Sequence, residues 1–308
     1  MKILKTIIYL LPIIVFIIIT TWRQSENGKL GTKSNPVRIY FTPSVDAKRI
    51  SNNAKDLIDY LEKETGYYFV SSNPSSYVAV VEAFGSKKAD IAIINTFSYL
   101  MVNELYGAQA RLRLVRDNGE TTYKGMIFTR TDSGIDSLAD LNGKTFAYVD
   151  PSSTSGYILP KAMLEKKGIK TGETVFGMRH DNVVMMVYQK QAQAGAAFYS
   201  PPDKATGKIL DARMRVAQQY PDVVDKIKII GFTESIPNDP VVFRKDIPEK
   251  MSAKIINALL KYLQTKKGQD VLYEISDIRG LIPTKDSDYE PLRKILKEQH
   301  ISVRKWVK

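Results

Sequence analysis

Residues 151–157 read PSSTSGY and stand between a predicted strand, residues 145–149, and an amphipathic helix predicted over residues 156–167. A helix start carries unpaired backbone N–H groups and the positive end of the helix dipole, so it attracts phosphate-like anions. Serine and threonine hydroxyls add neutral hydrogen-bond donors. The same residue types are also the preferred caps of any helix. The stretch by itself therefore leaves helix capping and capture of a tetrahedral oxyanion both open.

Strands and helices alternate on both sides of this stretch. The strands are predicted at residues 37–41, 67–70, 90–94, 112–116 and 123–130 before it, and at residues 174–176, 194–198 and 227–230 after it. The strand at residues 90–94 is almost entirely apolar, as expected for a parallel strand that is buried on both faces. The alternation predicts an α/β fold of two Rossmann-like lobes joined by two crossover strands. A ligand would then bind in the cleft between the lobes.

The boundaries of the two lobes follow from where the chain crosses between them. We predict a first lobe from residues 37–130 together with 240–308, and a second lobe from residues 131–239. Residues 25–36 are polar and contain glycine, which is typical of a short linker. Residues 1–24 are predicted to form a hydrophobic helix ahead of both lobes.

The N-terminal 24 residues have the pattern of an export signal. Lys2 and Lys5 precede an apolar run over residues 7–20, as in the charged and hydrophobic regions of a signal peptide. The run approaches the length of about 20 residues that a membrane span needs, and Trp22 suits a membrane interface. No clear small-x-small cleavage site precedes Arg23. A cleaved signal and an uncleaved anchor therefore both remain open, and either predicts that the rest of the chain is exported.

Composition excludes several classes of chemistry. The chain of 308 residues contains no cysteine, which excludes disulfides, thiolate catalysis, cysteine-ligated zinc and lipid attachment at an N-terminal cysteine. Its formal charge of +12 could suit a nucleic acid. However, the lysines and arginines are spread along the whole chain without an arginine-rich tract. We therefore predict no nucleic-acid partner, and a basic surface whose field favours anionic ligands.

Further short motifs occur in order along the chain, around the PSSTSGY stretch. They are DIA at residues 90–92, LADLNGK at 138–144, RHD at 179–181, AGA at 194–196 and IPNDP at 236–240. In order and spacing, from about Val37 to Ile282, the chain resembles the phosphate/phosphite/phosphonate-binding subunits of bacterial ABC importers. That family has the type II periplasmic binding protein fold. Each motif alone is weak, whereas their order together is specific.

The resemblance implies a set of ligand-binding residues. Ser153, Thr154 and Ser155 would hold the oxyanion through hydroxyls and helix-start amides, and His180 would donate from the opposite wall. The first lobe and the crossing would contribute Thr42, Thr96, Tyr99 and Tyr123. The chain departs from the family pattern at Gln193, where an aspartate is common, and at Arg179, where a small residue is common. Family members that bind aminophosphonates hold the amine with acidic residues, for which the sequence offers no clear equivalent. The sequence therefore does not favour an aminophosphonate, and phosphate, phosphite or an unrelated anion remain open.

The resemblance also implies a role in transport. The chain would be a monomeric solute-binding protein, periplasmic or extracytoplasmic, that serves an ABC permease in the inner membrane without a cofactor or metal. A retained N-terminal helix would tether it to that membrane. Such a tether leaves open a second role, as a sensing module that signals to a partner.

The sequence argues against a third role, as a hydrolase built on Ser155, His180 and Asp181. Adjacent residues on a helix point in different directions, so Asp181 could not orient His180. The G-x-S-x-G motif is also missing. We therefore expect a binding protein and not an enzyme.

Overall fold

The computed structural model describes residues 28–43 and 47–306. The predicted N-terminal signal or anchor, residues 1–24, lies outside the described residues and stays a prediction. Within the described ranges, no helix has both the length and the apolar character that a membrane crossing requires.

The chain alternates strands and helices through most of its length. The strands are β1 (Val37–Phe41), β2 (Phe69–Ser72), β3 (Ile91–Ile93), β4 (Gln109–Val115), β5 (Thr122–Arg130), β6 (Phe146–Tyr148), β7 (Thr174–Phe176), β8 (Ala194–Tyr199), β9 (Ile227–Phe232), β10 (Ile236–Pro237), β11 (Pro240–Phe243) and β12 (Gly280–Pro283). The helices are α1 (Ala47–Thr65), α2 (Tyr77–Gly85), α3 (Thr96–Tyr106), α4 (Leu159–Lys166), α5 (His180–Tyr188), α6 (Val223–Lys226), α7 (Glu249–Tyr262), α8 (Lys266–Ser276) and α9 (Glu290–Glu298).

The strands form two separate sheets, one for each lobe. The first has the order β12-β4-β11-β3-β1-β2, and the second has the order β10-β5-β8-β6-β7, with β9 also paired to β5. In the first sheet, β1 is parallel to both β2 and β3. In the second, β6 is parallel to both β7 and β8. The predicted α/β fold of two lobes is confirmed.

Strand β5 belongs to the second sheet, whereas the sequence assigned residues up to 130 to the first lobe. It pairs with β8 from Lys124 to Thr129, and on its other side it pairs with β9. The reason for the difference is that the chain crosses between the sheets before β5 begins and not after it ends. We propose that the second lobe starts at about residue 122.

The return crossing lies beside the first one. It runs from β10, in the second sheet, to β11, in the first. The buried side chain of Asn238, on this crossing, donates from Nδ2 to the carbonyl oxygens of Leu114 (2.9 Å) and Glu120 (2.8 Å). Because these two residues flank the first crossing, the hydrogen bonds of Asn238 join the return crossing to the first crossing.

Each sheet is covered by helices on both faces. Helix α1 shows how the sequence specifies this packing, because Ile50, Ala54, Leu57 and Leu61 lie on one buried face at helical spacing. These residues join a core beneath α7 and α8. On the opposite face of the first sheet, the core around α3 also includes Ile158 and Leu159 from the second lobe. The start of α4 is therefore packed against the first lobe.

Candidate functional site

A cavity of about 590 Å³ lies between the two lobes. Its walls come from loops that follow the strands of both sheets. The first lobe contributes Thr42, Tyr77 and Asn95, and the second contributes Ser153–Ser155 and His180. This is the cleft that the sequence predicted as the place for a ligand.

The PSSTSGY stretch forms a tight turn at the end of β6. Asp150 accepts a hydrogen bond from the backbone N–H of Ser152 at 2.7 Å, and Ser153 Oγ accepts from the N–H of Gly156 at 3.2 Å. Residues Thr154–Ile158 then make one wide π-helical turn before α4 begins at Leu159. The regular helix thus starts later than residue 156, where the sequence placed it.

Glycine is required at position 156 by the closeness of this turn to the preceding strand. A Cβ atom there would lie 2.4 Å from Cγ2 of Val149 and 2.7 Å from its Cβ. Such distances are sterically excluded, so any other residue would push the turn away from the end of β6. Gly156 therefore sets the position of the hydroxyl residues ahead of it.

Thr154 connects the two lobes at the back of the cavity. Its Oγ1 accepts a hydrogen bond from the backbone N–H of Phe97 at 2.9 Å and donates to Oδ1 of Asn95 at 3.4 Å. Asn95 in turn donates from Nδ2 to the carbonyl oxygen of Ser152 at 3.2 Å. The hydroxyl of Thr154 thus has a structural partner in the first lobe as well as a place on the cavity wall.

Helix and turn starts converge on this cavity from both lobes. Tyr77 is the first residue of α2, Asn95 is the N-cap of α3, Ser153 is the N-cap of the wide turn, and His180 is the first residue of α5. All four residues line the cavity. Because each start presents the positive end of a helix dipole, their convergence favours a bound anion.

His180 lies on this wall as a neutral imidazole. It is 6% exposed, and its Nδ1 accepts a hydrogen bond from the backbone N–H of Phe198 at 3.2 Å. Burial, and then the positive charges of Arg215 and Arg116, hold the pKa of His180 well below its usual range. Since Nδ1 is the acceptor, the proton sits on Nε2. His180 can therefore donate a hydrogen bond without adding a charge.

Two further polar side chains reach the cavity with unused hydrogen-bonding capacity. The Tyr77 hydroxyl and Oδ1 of Asp239 are both buried without a hydrogen-bond partner among the described residues. The other carboxylate oxygen of Asp239 accepts from Arg116 at 3.3 Å, while burial raises the pKa of the carboxyl. Sequence reasoning missed both residues. The available signals were the position of Tyr77 at a helix start and the place of Asp239 in the IPNDP motif.

Of the predicted first-lobe and crossing residues, Thr42 and Tyr123 line the cavity. The Thr42 hydroxyl already donates to the carbonyl oxygen of Ile93 at 2.9 Å, which leaves it lone pairs and no free proton for a ligand. Tyr123 is 7% exposed, and burial raises the pKa of its phenol. It therefore remains a neutral hydrogen-bond donor.

Thr96 and Tyr99 do not lie on the cavity wall. Thr96 is fully buried and donates to the carbonyl oxygen of Pro237 at 2.8 Å. Tyr99 donates to Asp286 at 2.5 Å, and its ring packs 4.7 Å from that of Tyr289. The reason is distance along α3, since Tyr99 lies one full turn beyond Asn95, on the same side of the helix but farther from its start.

Two residues that departed from the family pattern have structural roles. Oε1 of Gln193 accepts from the backbone N–H of Thr145 at 3.1 Å, at an exposed position away from the cavity. Arg179 pairs with Asp181 at 3.1 Å. Because Asp181 is engaged there, it does not orient His180 as the acid of a hydrolase triad would.

The two-lobed fold recurs among solved structures. PhnD1 from Prochlorococcus marinus, in complex with methylphosphonate, superposes with a TM-score of 0.71 at 15% identity over 86% of this chain and 98% of that one. The fold is that of the type II periplasmic binding proteins.

A family model described as "ABC transporter, phosphonate, periplasmic substrate-binding protein" matches residues 39–289. The chain belongs to this family of periplasmic substrate-binding proteins.

Two curated relatives are similar over part of their length. The phosphonates-binding periplasmic protein of Escherichia coli is 25% identical over 219 residues, 69% of this chain and 62% of the relative. The phosphate-import protein PhnD of Mycolicibacterium smegmatis is 29% identical over 175 residues, 53% of this chain and 54% of the relative. The chain thus spans less than two thirds of the length of each relative.

Proposed function

We propose that this chain captures a tetrahedral phosphorus oxyanion, such as phosphate, phosphite or a phosphonate, in the interlobe cleft and presents it to an ABC permease. The observation that carries the proposal is the convergence of helix and turn starts at Tyr77, Asn95, Ser153 and His180 on one cavity. The family model and the two curated relatives support the same class of ligand.

The donors at this end of the cavity are neutral. They are hydroxyl groups, backbone amides and the imidazole of His180, while nearby Arg116 and Arg215 are each paired with a carboxylate. Hydrogen bonds from neutral donors to an anion contribute about 1.5–3 kcal/mol each. They act more strongly once the lobes exclude water, because the local dielectric falls. The arrangement can therefore hold a desolvated dianion without a matching fixed charge.

Asp239 adds a requirement on the protonation of the ligand. Its Oδ1 is a buried hydrogen-bond acceptor without a partner among the described residues. When ionised it can only accept, so it favours an oxyanion that carries an O–H group, such as hydrogen phosphate. Sulfate has no proton near neutral pH, and one of its oxygens would face Oδ1 of Asp239 without a hydrogen bond. We therefore propose that the site discriminates against sulfate.

The test is a thermal-shift screen followed by calorimetry on the purified chain. The ligands are phosphate, phosphite, methylphosphonate, aminoethylphosphonate and sulfate, since stabilisation grows with ligand concentration over the dissociation constant. We expect at least one phosphorus oxyanion to stabilise the protein, and sulfate to bind about 100-fold more weakly because it leaves a buried acceptor unpaired. A protein stabilised by none of the phosphorus compounds would contradict the proposal.

A further inference from the structure

An ion pair crosses the cleft between the lobes. Arg215 ends the short helical turn Ala212–Arg215 of the second lobe, and Asp277 is the C-cap of α8 in the first lobe. Nη2 of Arg215 lies 2.5 Å from Oδ2 of Asp277. Both residues line the same cavity as Ser153–Ser155. We refer to Arg215 and Asp277 as the cross-cleft pair.

The first lobe holds its member of the pair in a fixed position. Asp277 has a left-handed backbone, with φ of +52°, and its Oδ1 lies 3.6 Å from Nη2 of Arg49. Arg49 is itself anchored, because its Nε donates to Glu274 at 2.7 Å. The carboxylate is therefore presented to the cleft by contacts within its own lobe.

The second lobe connects its member to the wall that carries His180. The guanidinium of Arg215 lies 4.5 Å from the ring centre of Phe198. Phe198 meets His180 edge-to-face with ring centres 5.1 Å apart, and its backbone N–H donates to Nδ1 of His180. Arg215, Phe198 and His180 thus form a continuous series of contacts.

We propose that Arg215 is a positioning residue that favours the closed arrangement of the lobes through Asp277 and supports His180 through Phe198. This inference rests on the proposed function, because closure matters only if the cleft holds a ligand. A pair that raises the population of the closed form strengthens binding of every ligand by the same factor. It therefore sets overall affinity and not the choice among oxyanions.

Burial distinguishes this pair from an ordinary surface ion pair. The Arg215 and Asp277 side chains are 17% and 23% exposed, so water and salt screen their attraction less than that of an exposed pair. Lys204 and Glu120 also connect the second lobe to the first crossing, but they are 82% and 38% exposed. Exposed pairs of this kind contribute little, which makes Lys204→Met a matched control.

Calorimetry and stopped-flow kinetics test the predicted effect on affinity. Arg215→Met and Asp277→Asn should each raise the Kd of every phosphorus oxyanion that binds by about tenfold, mainly through faster dissociation. The double variant should be no weaker than the single variants, because both remove the same interaction. Lys204→Met should bind as the parent does. Unchanged affinities in both single variants would overturn the proposal, as would a loss confined to one ligand, which indicates direct contact.

The distance between the lobes provides a second measurement. It would not change if Arg215 only helped its own lobe to fold. The chain has no cysteine, so spin labels can be placed at Lys63→Cys and Lys167→Cys, exposed positions on different lobes. We expect a longer and broader distance distribution in ligand-free Arg215→Met than in the labelled parent. Identical distributions would overturn the proposal. If the parent binds none of the oxyanions tested, the proposed function fails, while this comparison still decides whether the pair holds the lobes together.

Discussion

His180 illustrates how burial fixes the chemistry of a single residue. The imidazole is neutral because it is buried and because Arg215 and Arg116 oppose a further positive charge, both of which lower its pKa. Its orientation is set by the N–H of Phe198. A neutral donor is therefore present near neutral pH, where a phosphorus oxyanion is ionised. The residue that the motif singled out thus has the protonation state that the proposed binding mode needs.

The same burial predicts a pH dependence of stability. The pKa of His180 lies well below its usual value in the native state, so below about pH 6.5 the unfolded chain binds a proton that the native chain does not. The free energy of unfolding should therefore fall on acidification, by up to about 1.4 kcal/mol per pH unit, until the native pKa is reached. Urea unfolding at about pH 7 and pH 5 measures this, with His180→Gln as the comparison. Equal losses in parent and variant would contradict it.

At the scale of elements, the wide turn Thr154–Ile158 depends on the absence of a side chain at Gly156. Gly156→Ala places a methyl group against Val149, so we expect the free energy of unfolding to fall by about 1–3 kcal/mol. Ligand affinity should fall as well, because the hydroxyl residues move with the turn.

Val149→Ala is the matched second substitution for this prediction. It removes Cγ2, the nearer of the two Val149 atoms that the new Cβ would meet, and leaves the Cβ of residue 149 in place. The double variant should therefore lose less stability than the two single changes combined. Denaturant unfolding and calorimetry of the three variants test this. Additive losses would show that contact with Cγ2 of Val149 is not the reason that Gly156→Ala is destabilising.

The elements themselves were largely predictable, since their signals are local. In helix α1 (Ala47–Thr65), for example, the buried residues recur at helical spacing along the sequence. The turn proposed to bind the anion was singled out because consecutive hydroxyl residues at a strand end are visible in the sequence. Tyr99 was included with it because motif position does not reveal how far along α3 a residue lies from the cavity. Only the packing of α3 against Tyr289 shows that Tyr99 lies away from the cleft.

At the scale of the whole molecule, the residues that sequence reasoning missed come from distant parts of the chain. Arg215 and Asp277 are 62 residues apart and belong to different lobes. Neither lies in a motif, and each alone resembles a solvated surface charge. Arg215 and Asp277 come close only because of the way the two lobes face each other. No local sequence pattern encodes that arrangement. The lobe boundary was misassigned for the same reason, since the partners of β5 follow it in the chain.

Two kinds of contact hold the lobes against each other. One is the packing of Ile158 and Leu159 into the core of the first lobe, with the hydrogen bond from Phe97 to Thr154 beside it. The other is the cross-cleft pair. Both surround the same cavity, so binding and closure depend on overlapping sets of residues.

The most direct test of the oxyanion site is a calorimetric titration of three proteins: the parent, Thr154→Ala and Thr154→Ser, each with phosphate and methylphosphonate. We expect saturable one-to-one binding in the parent. Thr154→Ala should bind about 10- to 100-fold more weakly, because it removes a hydroxyl from the cavity wall together with its hydrogen bonds to Phe97 and Asn95 in the first lobe. Thr154→Ser, which keeps the hydroxyl, should bind nearly as the parent does. Equal affinity in the parent and Thr154→Ala would contradict the assignment of the site.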